Sequence, residues 1–399
     1  MKTAFIIFGS TGDLVKRKIY PALKEINKKE KIKIFAIGRR ELSQEEYRKE
    51  FVEEKQKEFL DIIEYRKIDY ASKEDYKHLI EEIVEEYQNI VLYLSTPPKL
   101  FIEILEGMHG LDLKKKYIKI VFEKPFGHDL SSFLKLNALV LEVFYEEQIY
   151  RVDHYLGKEG VLEILKFRKN GEYEKYWNSD YIKSVEIIVK EQIGIEKRAG
   201  YYEEMGAIKD MIQNHLLQIL SFVCIELSKN ERREKEVFFS QIKIIEKNIF
   251  GQYKSYKQEE GVNKNSKTET FASIKLKVEN PRWKNTNFSL TTGKKLDKKE
   301  TKIIVNFLNK EGLPKRIIFE ISPKEQICFE GEKSECRYKK EEIKEAYENI
   351  LEGVMENRKE IFPDEKELEI SWKIIEKIKK DKLVIYSDGV SEEEILKTH

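Results

Sequence analysis

The sequence predicts two domains of different class. An α/β domain with a Rossmann-type parallel sheet is expected over residues 1–152, and an α+β domain with a large, mostly antiparallel sheet backed by helices over residues 153–399. Three observations carry this expectation. Short apolar runs alternate with amphipathic helical patterns through the first 150 residues, which is how parallel βαβ units read. Beyond them, strand-like runs are joined by turns without regular intervening helices, the pattern of an antiparallel sheet. A chain of 399 residues is also long enough for two cores.

Composition narrows the partners. The 74 basic and 73 acidic residues leave a net charge of +1, with both signs interspersed, so no global field attracts nucleic acid or a membrane surface. Cys224, Cys328 and Cys336 are widely spaced and form no CxxC pattern. Neither a disulfide framework nor a zinc site is expected from them, and a reducing cytoplasm fits. The first apolar run, AFIIF, is too short for a signal-peptide core, and no run approaches the length of a membrane span.

The elements follow in order. Residues 3–8 form a continuous apolar run that ends in GSTGDLVKRKIYPAL, which reads as buried strand, tight glycine turn and helix. Gly9 and Gly12 let the backbone approach a ligand, and the helix start offers N–H groups and a positive dipole end to a phosphate. The third glycine of the dinucleotide fingerprint is missing. A second strand, residues 32–37, ends at Gly38, Arg39 and Arg40. An acidic residue there would favour NAD, whereas arginines suit the extra phosphate of NADP, so NADP is expected and NAD use stays open. Residues 43–64 and 73–87 have helical spacing with charged outer faces. Strands 90–94 and 118–122 lead into STPP and EKPFGHDL, where Pro97, Pro98 and Pro125 stiffen loops at the ligand-binding end of a parallel sheet. Asp129 or Ser131 can cap the helix over 130–144.

Strand 149–152 opens the stretch YRVDHYLGKE. Asp153 can hold a histidine in one tautomer, while His154, Tyr155 and Lys158 supply donors and positive charge for an oxyanion. That is equipment for a phosphorylated substrate. A helix over 159–167 follows, then strand-like runs at 185–192, 270–278, 302–308 and 316–329. A long helix over 206–227 carries Asp210, Gln213, Asn214 and His215. His215 shares a face with Met211, Ile212 and Ile219, which suits a packed core histidine as well as a site histidine. Helices over 343–355 and 368–378 close the chain, and the charge-rich residues 229–265 give no clear element.

Taken together, these separated motifs resemble one family, the glucose-6-phosphate dehydrogenases. GSTGDLVKRKIYPAL resembles its cofactor loop, YLSTPP and EKPFGHDL its mid-domain loops, and YRVDHYLGKE its signature stretch. KEQIGIEKRAGYYEEMGAIKDMIQNHLLQ, TETFASIKLKVENPRW, TTGKKL and EAYENILEGVMENRKEIF follow in the family's order. The resemblance implies His215 as general base, Asp153 as the carboxylate that orients it, and Lys124 between substrate and nicotinamide. His154, Tyr155 and Lys158 match the grip on the sugar phosphate, Glu191 and Asp210 the acceptors from sugar hydroxyls, and Lys294 and Lys299 the basic residues completing the pocket. On the cofactor side Gly9, Thr11, Gly12, Asp13 and Leu14 match the phosphate loop, joined by Arg39, Arg40, Pro97 and Lys124. The chain departs from the family in clipped connections and in Thr291, Pro281 and Gln192, where arginine, tryptophan, and proline or aspartate are usual.

The implied activity is oxidation of glucose 6-phosphate to 6-phosphogluconolactone with NADP, in the pentose phosphate pathway, by a homodimer or dimer of dimers. No cluster shows metal-ligand spacing, and no metal is expected. A dehydrogenase for another hexose 6-phosphate and a non-catalytic NADP-binding sensor are the alternatives.

Overall fold

The computed structural model describes residues 2–398 apart from 54, 55, 246, 332, 333, 339–342 and 381. The chain forms two compact units. One comprises Met1–Gly157 with Lys344–Glu365, the other Lys158–Ile343 with Lys366–His399.

The first unit holds a parallel sheet of β1 (Thr3–Phe8), β2 (Ile32–Gly38), β3 (Ile63–Lys67), β4 (Asn89–Leu94), β5 (Ile118–Glu123) and β6 (Ile149–Val152), in the order β3-β2-β1-β4-β5-β6. Every residue of β1 is buried, as its unbroken apolar run requires of a central strand. The order reverses between β1 and β4, so their carboxyl ends open the crevice where such sheets bind ligands. Asp129, and not Ser131, caps the helix Leu130–Val143, accepting from Ser132 N at 2.7 Å. The single helix expected over 43–64 is instead two short helices, Gln44–Phe51 and Lys57–Asp61, followed by β3. The reason is visible in IEYRK, where Ile63 and Tyr65 face inward at period two while the charges around them mimic a helical surface. Residues 344–365 return to this unit as the helix Ala346–Glu356, which ends at left-handed Asn357. Buried Lys119, on β5, donates to the carbonyls of Val354 and Met355 at 2.7 and 3.1 Å, a cation on a helix carboxyl end. Burial brings its ammonium down to about 8.

Among the described residues the second unit has ten strands in one sheet. They are β7 (Ile182–Lys190), β8 (Ile242–Ile244), β9 (Ile249–Tyr253), β10 (Phe271–Val278), β11 (Asn287–Gly293), β12 (Glu300–Phe307), β13 (Arg316–Ser322), β14 (Gln326–Glu330), β15 (Glu335–Tyr338) and β16 (Leu383–Tyr386). The main path is β15-β14-β13-β12-β7-β11-β10-β9-β16, with β8 on β10. Only β7–β11 and β9–β16 pair in parallel among these, so the sheet is mostly antiparallel. The run 316–329 breaks at Pro323 into β13 and β14, since the ring cannot continue the ladder. Residues 229–265 resolve into the helix Glu231–Ser240, capped by Asn230, then β8 and β9.

Two expectations are corrected. The helix over 206–227 is three consecutive segments, Ala199–Ala207, the π-helical Ile208–Leu216, and Leu217–Cys224. Gly206, at φ 61°, interrupts the first from the second. A disulfide is also present: Cys328 and Cys336 are direct partners across β14 and β15, with their Cα atoms 4.0 Å apart. Eight residues of spacing hid a cross-strand contact that only strand pairing creates. Among the described residues no helix is long and apolar enough to cross a membrane.

Candidate functional site

The sequence-selected residues fall into two groups, one in each unit. In the first, the loop after β1 is shaped to admit something against its backbone. Gly9 has φ 72°, and a Cβ there would lie 2.5 Å from the carbonyl oxygen of Ser95. The Gly12 amide bonds back to Gly9 O at 3.0 Å, and the chain turns into helix with Thr11 and Leu14 half-buried and Asp13 exposed. Fully buried Ser10 Oγ and Thr96 Oγ1 find no hydrogen-bond partner among the described residues. A glycine cradle with spare hydroxyls fits the pyrophosphate of a dinucleotide. Pro97 is exposed and starts the helix Pro98–Met108, just beyond this loop.

The two arginines after β2 differ. Arg40 pairs with Glu50 at 3.0 Å and lies over Phe51. Arg39 lies over the ring of Tyr70, 5.7 Å from its centroid, and the Tyr70 hydroxyl accepts from Gly9 N at 3.0 Å. One tyrosine therefore links Arg39 to the glycine loop, a connection the sequence did not reveal.

At the end of β5 the Lys124–Pro125 peptide is cis, and Lys124 is half-buried. Asp153, 2% exposed, accepts from the Tyr155 amide at 3.0 Å through Oδ1, which shapes the turn carrying half-buried His154 and Tyr155. Asn349 donates to Gly157 O at 3.0 Å and fixes the end of that turn.

Glu123, the last residue of β5 and the neighbour of Lys124, accepts from Tyr93 and is bonded by Tyr347. Burial pushes its carboxyl up to about 7; the two tyrosine hydroxyls oppose the rise, nearby Asp153 adds to it, and Lys124 resists it. The motif EKPFG contained this residue, but nothing in the letters separates an enclosed glutamate from a surface one. Because the folded state holds this proton more tightly, its contribution to stability is present below about pH 4.5 and is lost as pH rises through about 7. Glu123→Gln is expected to gain ~2 kcal/mol on the unmodified protein between pH 5 and pH 8 in urea unfolding. A stability difference that does not change with pH would refute the assignment.

In the second unit Lys158 caps the helix Glu159–Lys169 with its backbone. Glu191, just past β7, and Lys294, just past β11, form an ion pair at 2.8 Å, because the parallel pairing of these strands brings their ends together. Lys294 is 2% exposed and lies over the ring of Tyr202. On the π-helical segment, buried Asp210 accepts from the Tyr201 hydroxyl at 3.1 Å, and His215 is 1% exposed, its amide donating to Asn214 Oδ1 at 2.7 Å. A wide helical turn at a functional position is a recurrent device. Lys299 is exposed in the loop before β12. Thr291, where the family has arginine, is buried and shares a hydrogen bond with Ser273 at 2.9 Å. Tyr201 and Tyr202 escaped the sequence reading, as tyrosines beside a carboxylate leave no spacing signal.

Comparison with known proteins identifies the family. Residues 6–163 match the model of the glucose-6-phosphate dehydrogenase NAD binding domain, and residues 164–394 that of its C-terminal domain. Glucose-6-phosphate 1-dehydrogenase of Buchnera aphidicola from Schizaphis graminum is 33% identical, covering 94% of this chain and 90% of its own. The Helicobacter pylori enzyme of that name is 32% identical, covering 93% and 91%. A solved glucose-6-phosphate dehydrogenase in complex with its substrate glucose 6-phosphate superposes with a TM-score of 0.87 at 29% identity, over 100% of this chain and 97% of that one. The Mycobacterium avium enzyme follows at 0.84 and 28%, over 98% and 94%. With both domain models matched from residue 6 to residue 394, the chain belongs to the glucose-6-phosphate dehydrogenase family.

Proposed function

We propose that this enzyme oxidises D-glucose 6-phosphate to 6-phospho-D-glucono-1,5-lactone with NADP, the first step of the oxidative pentose phosphate pathway. What carries the reading is that one chain, matched by both family domains, holds the acid, histidine and lysine positions of its motifs. NADP, when bound, would supply the hydride acceptor, and the residues of the glycine loop with Arg39 would hold it. As hydride leaves the anomeric carbon, His215 takes the proton of its hydroxyl, and Asp153 serves as the carboxylate that stabilises the imidazolium. His154, Tyr155 and Lys158 bind the phosphate, so that binding energy remote from the reacting carbon orients the sugar. Glu191, Asp210, Lys294 and Lys299 would address the sugar hydroxyls and complete the pocket, and Lys124, which matches the family lysine expected between sugar and nicotinamide, would contact the bound substrate and cofactor. The same reading includes a cytoplasmic homodimer or dimer of dimers, without nucleic-acid or membrane partners.

The test is the rise in reduced-nicotinamide absorbance with glucose 6-phosphate, run with NADP and with NAD. Turnover with NADP is expected. Arg39→Ala should raise the NADP KM by about 10–100-fold, the loss of one charge-assisted contact, and leave the NAD KM within about twofold. Equal losses with both cofactors would make Arg39 a structural residue. No turnover in protein that still binds NADP would favour another hexose 6-phosphate, or the sensor reading.

A further inference from the structure

The segment that carries Asp210 and His215 starts at a backbone break. Gly206 adopts φ 61° and ψ −179°, a region essentially reserved for glycine. A Cβ on it would lie 2.5 Å from Glu269 Oε1. The break leaves two amides at the start of Ile208–Leu216 in need of acceptors, and both find them on one residue. Ala207 N donates to Glu269 O at 2.9 Å, and Ile208 N donates to Glu269 Oε1 at 3.2 Å.

Glu269 is fully buried, which an ionised carboxylate tolerates only with compensation. Its other oxygen accepts from Lys380 Nζ at 2.6 Å, and the Lys380 side chain is 47% exposed. The neighbours of Glu269 extend the arrangement. Thr268 Oγ1 donates to Glu203 O at 3.1 Å, and Thr270 O accepts from Lys294 N at 3.0 Å. One short segment ahead of β10 thus fixes the start of the π-helical turn and the backbone of a pocket lysine.

We infer that Glu269 is a positioning residue. Its carboxylate caps Ile208–Leu216 and sets the rotation at which that segment presents Asp210 and His215, while Lys380 supplies the charge that keeps the carboxylate in place. A negative group at a helix amino end complements both the open N–H groups and the dipole. Gly206 is the accommodation on the other side, since any side chain there would occupy the place of the carboxylate. This inference rests on the proposed role of His215, and its test separates the two.

The full-length enzyme is compared with Glu269→Ala, Glu269→Gln and Lys380→Met. Glu269→Ala is expected to lower kcat for glucose 6-phosphate by about 10–100-fold, with the NADP dissociation constant unchanged within twofold. Glu269→Gln should restore kcat to within about threefold, because its amide oxygen can still accept from Ile208 N. A Glu269→Ala enzyme that melts lower yet turns over at the normal rate would overturn the inference. If Glu269→Ala does not fold, Lys380→Met decides, as a half-exposed site: kcat reduced about three- to tenfold supports the inference, and an unchanged kcat overturns it. Should the unmodified enzyme not oxidise glucose 6-phosphate, the function reading fails and the capping role is read by hydrogen exchange. Glu269→Ala should then expose the amide of Ile208, which bonds to the side-chain oxygen, at least tenfold without loosening β10, and retained protection at Ile208 would overturn the cap.

Discussion

Replacing His215 with asparagine is expected to lower kcat with glucose 6-phosphate by about 10²–10⁴-fold, the usual contribution of a positioned general base. Asparagine is the informative choice because His215 is 1% exposed within an apolar helix face, where alanine would also open a cavity. A neutral imidazole has a ring nitrogen able to accept the hydroxyl proton. The NADP dissociation constant should stay within about twofold, since the proposed role of this side chain is toward the sugar and not the cofactor. Single-turnover measurements should show the loss in the hydride-transfer step itself. A variant that keeps more than a tenth of the normal rate would remove His215 from the role of base.

The largest effect on stability is expected at Lys235 and Glu367. Both side chains are completely buried, with Nζ and Oε2 2.8 Å apart, and Gln218 adds a bond to Glu367 at 3.1 Å. The pair fastens the helix Glu231–Ser240 to Glu365–Glu376. Lys235→Met alone leaves a carboxylate in the interior without its cation and should cost about 3–5 kcal/mol in denaturant unfolding. The double variant Lys235→Met with Glu367→Leu should recover most of that loss, since two apolar side chains need no counter-charge. A double variant as unstable as the single one would show that the polar contacts, and not the stranded charge, dominate.

Much of this was legible in the letters, and the failures share a cause. Unbroken apolar runs such as TAFIIF marked the central parallel strands because burial on both faces leaves no room for polar alternation. Strand β3 was hidden because its period-two pattern is short and carries charges on its outer face. The motifs located Lys124, Asp153 and His215, whose chemistry is distinctive. They did not locate Glu123 or Glu269, because a glutamate among 73 acidic residues looks the same whether enclosed by tyrosines or bathed in water. Arg39 and Arg40 were equivalent on paper, and only Tyr70 and Glu50 separate them. The π-helical turn was invisible because its apolar spacing over 208–216 is compatible with an ordinary helix.

The return of residues 344–365 to the first unit bears on how the protein is made. When Gly157 has left the ribosome, all six strands of the parallel sheet exist, yet the segment that completes this unit is still 344 − 157 = 187 residues away. At about 5–20 residues per second, synthesis of that interval takes roughly 10–40 s. Throughout it Lys119 lacks the carbonyls of Val354 and Met355, and Glu123 lacks Tyr347. The nascent first unit therefore waits, open on one face, for almost half the message to be read, and a chaperone has that long to bind it.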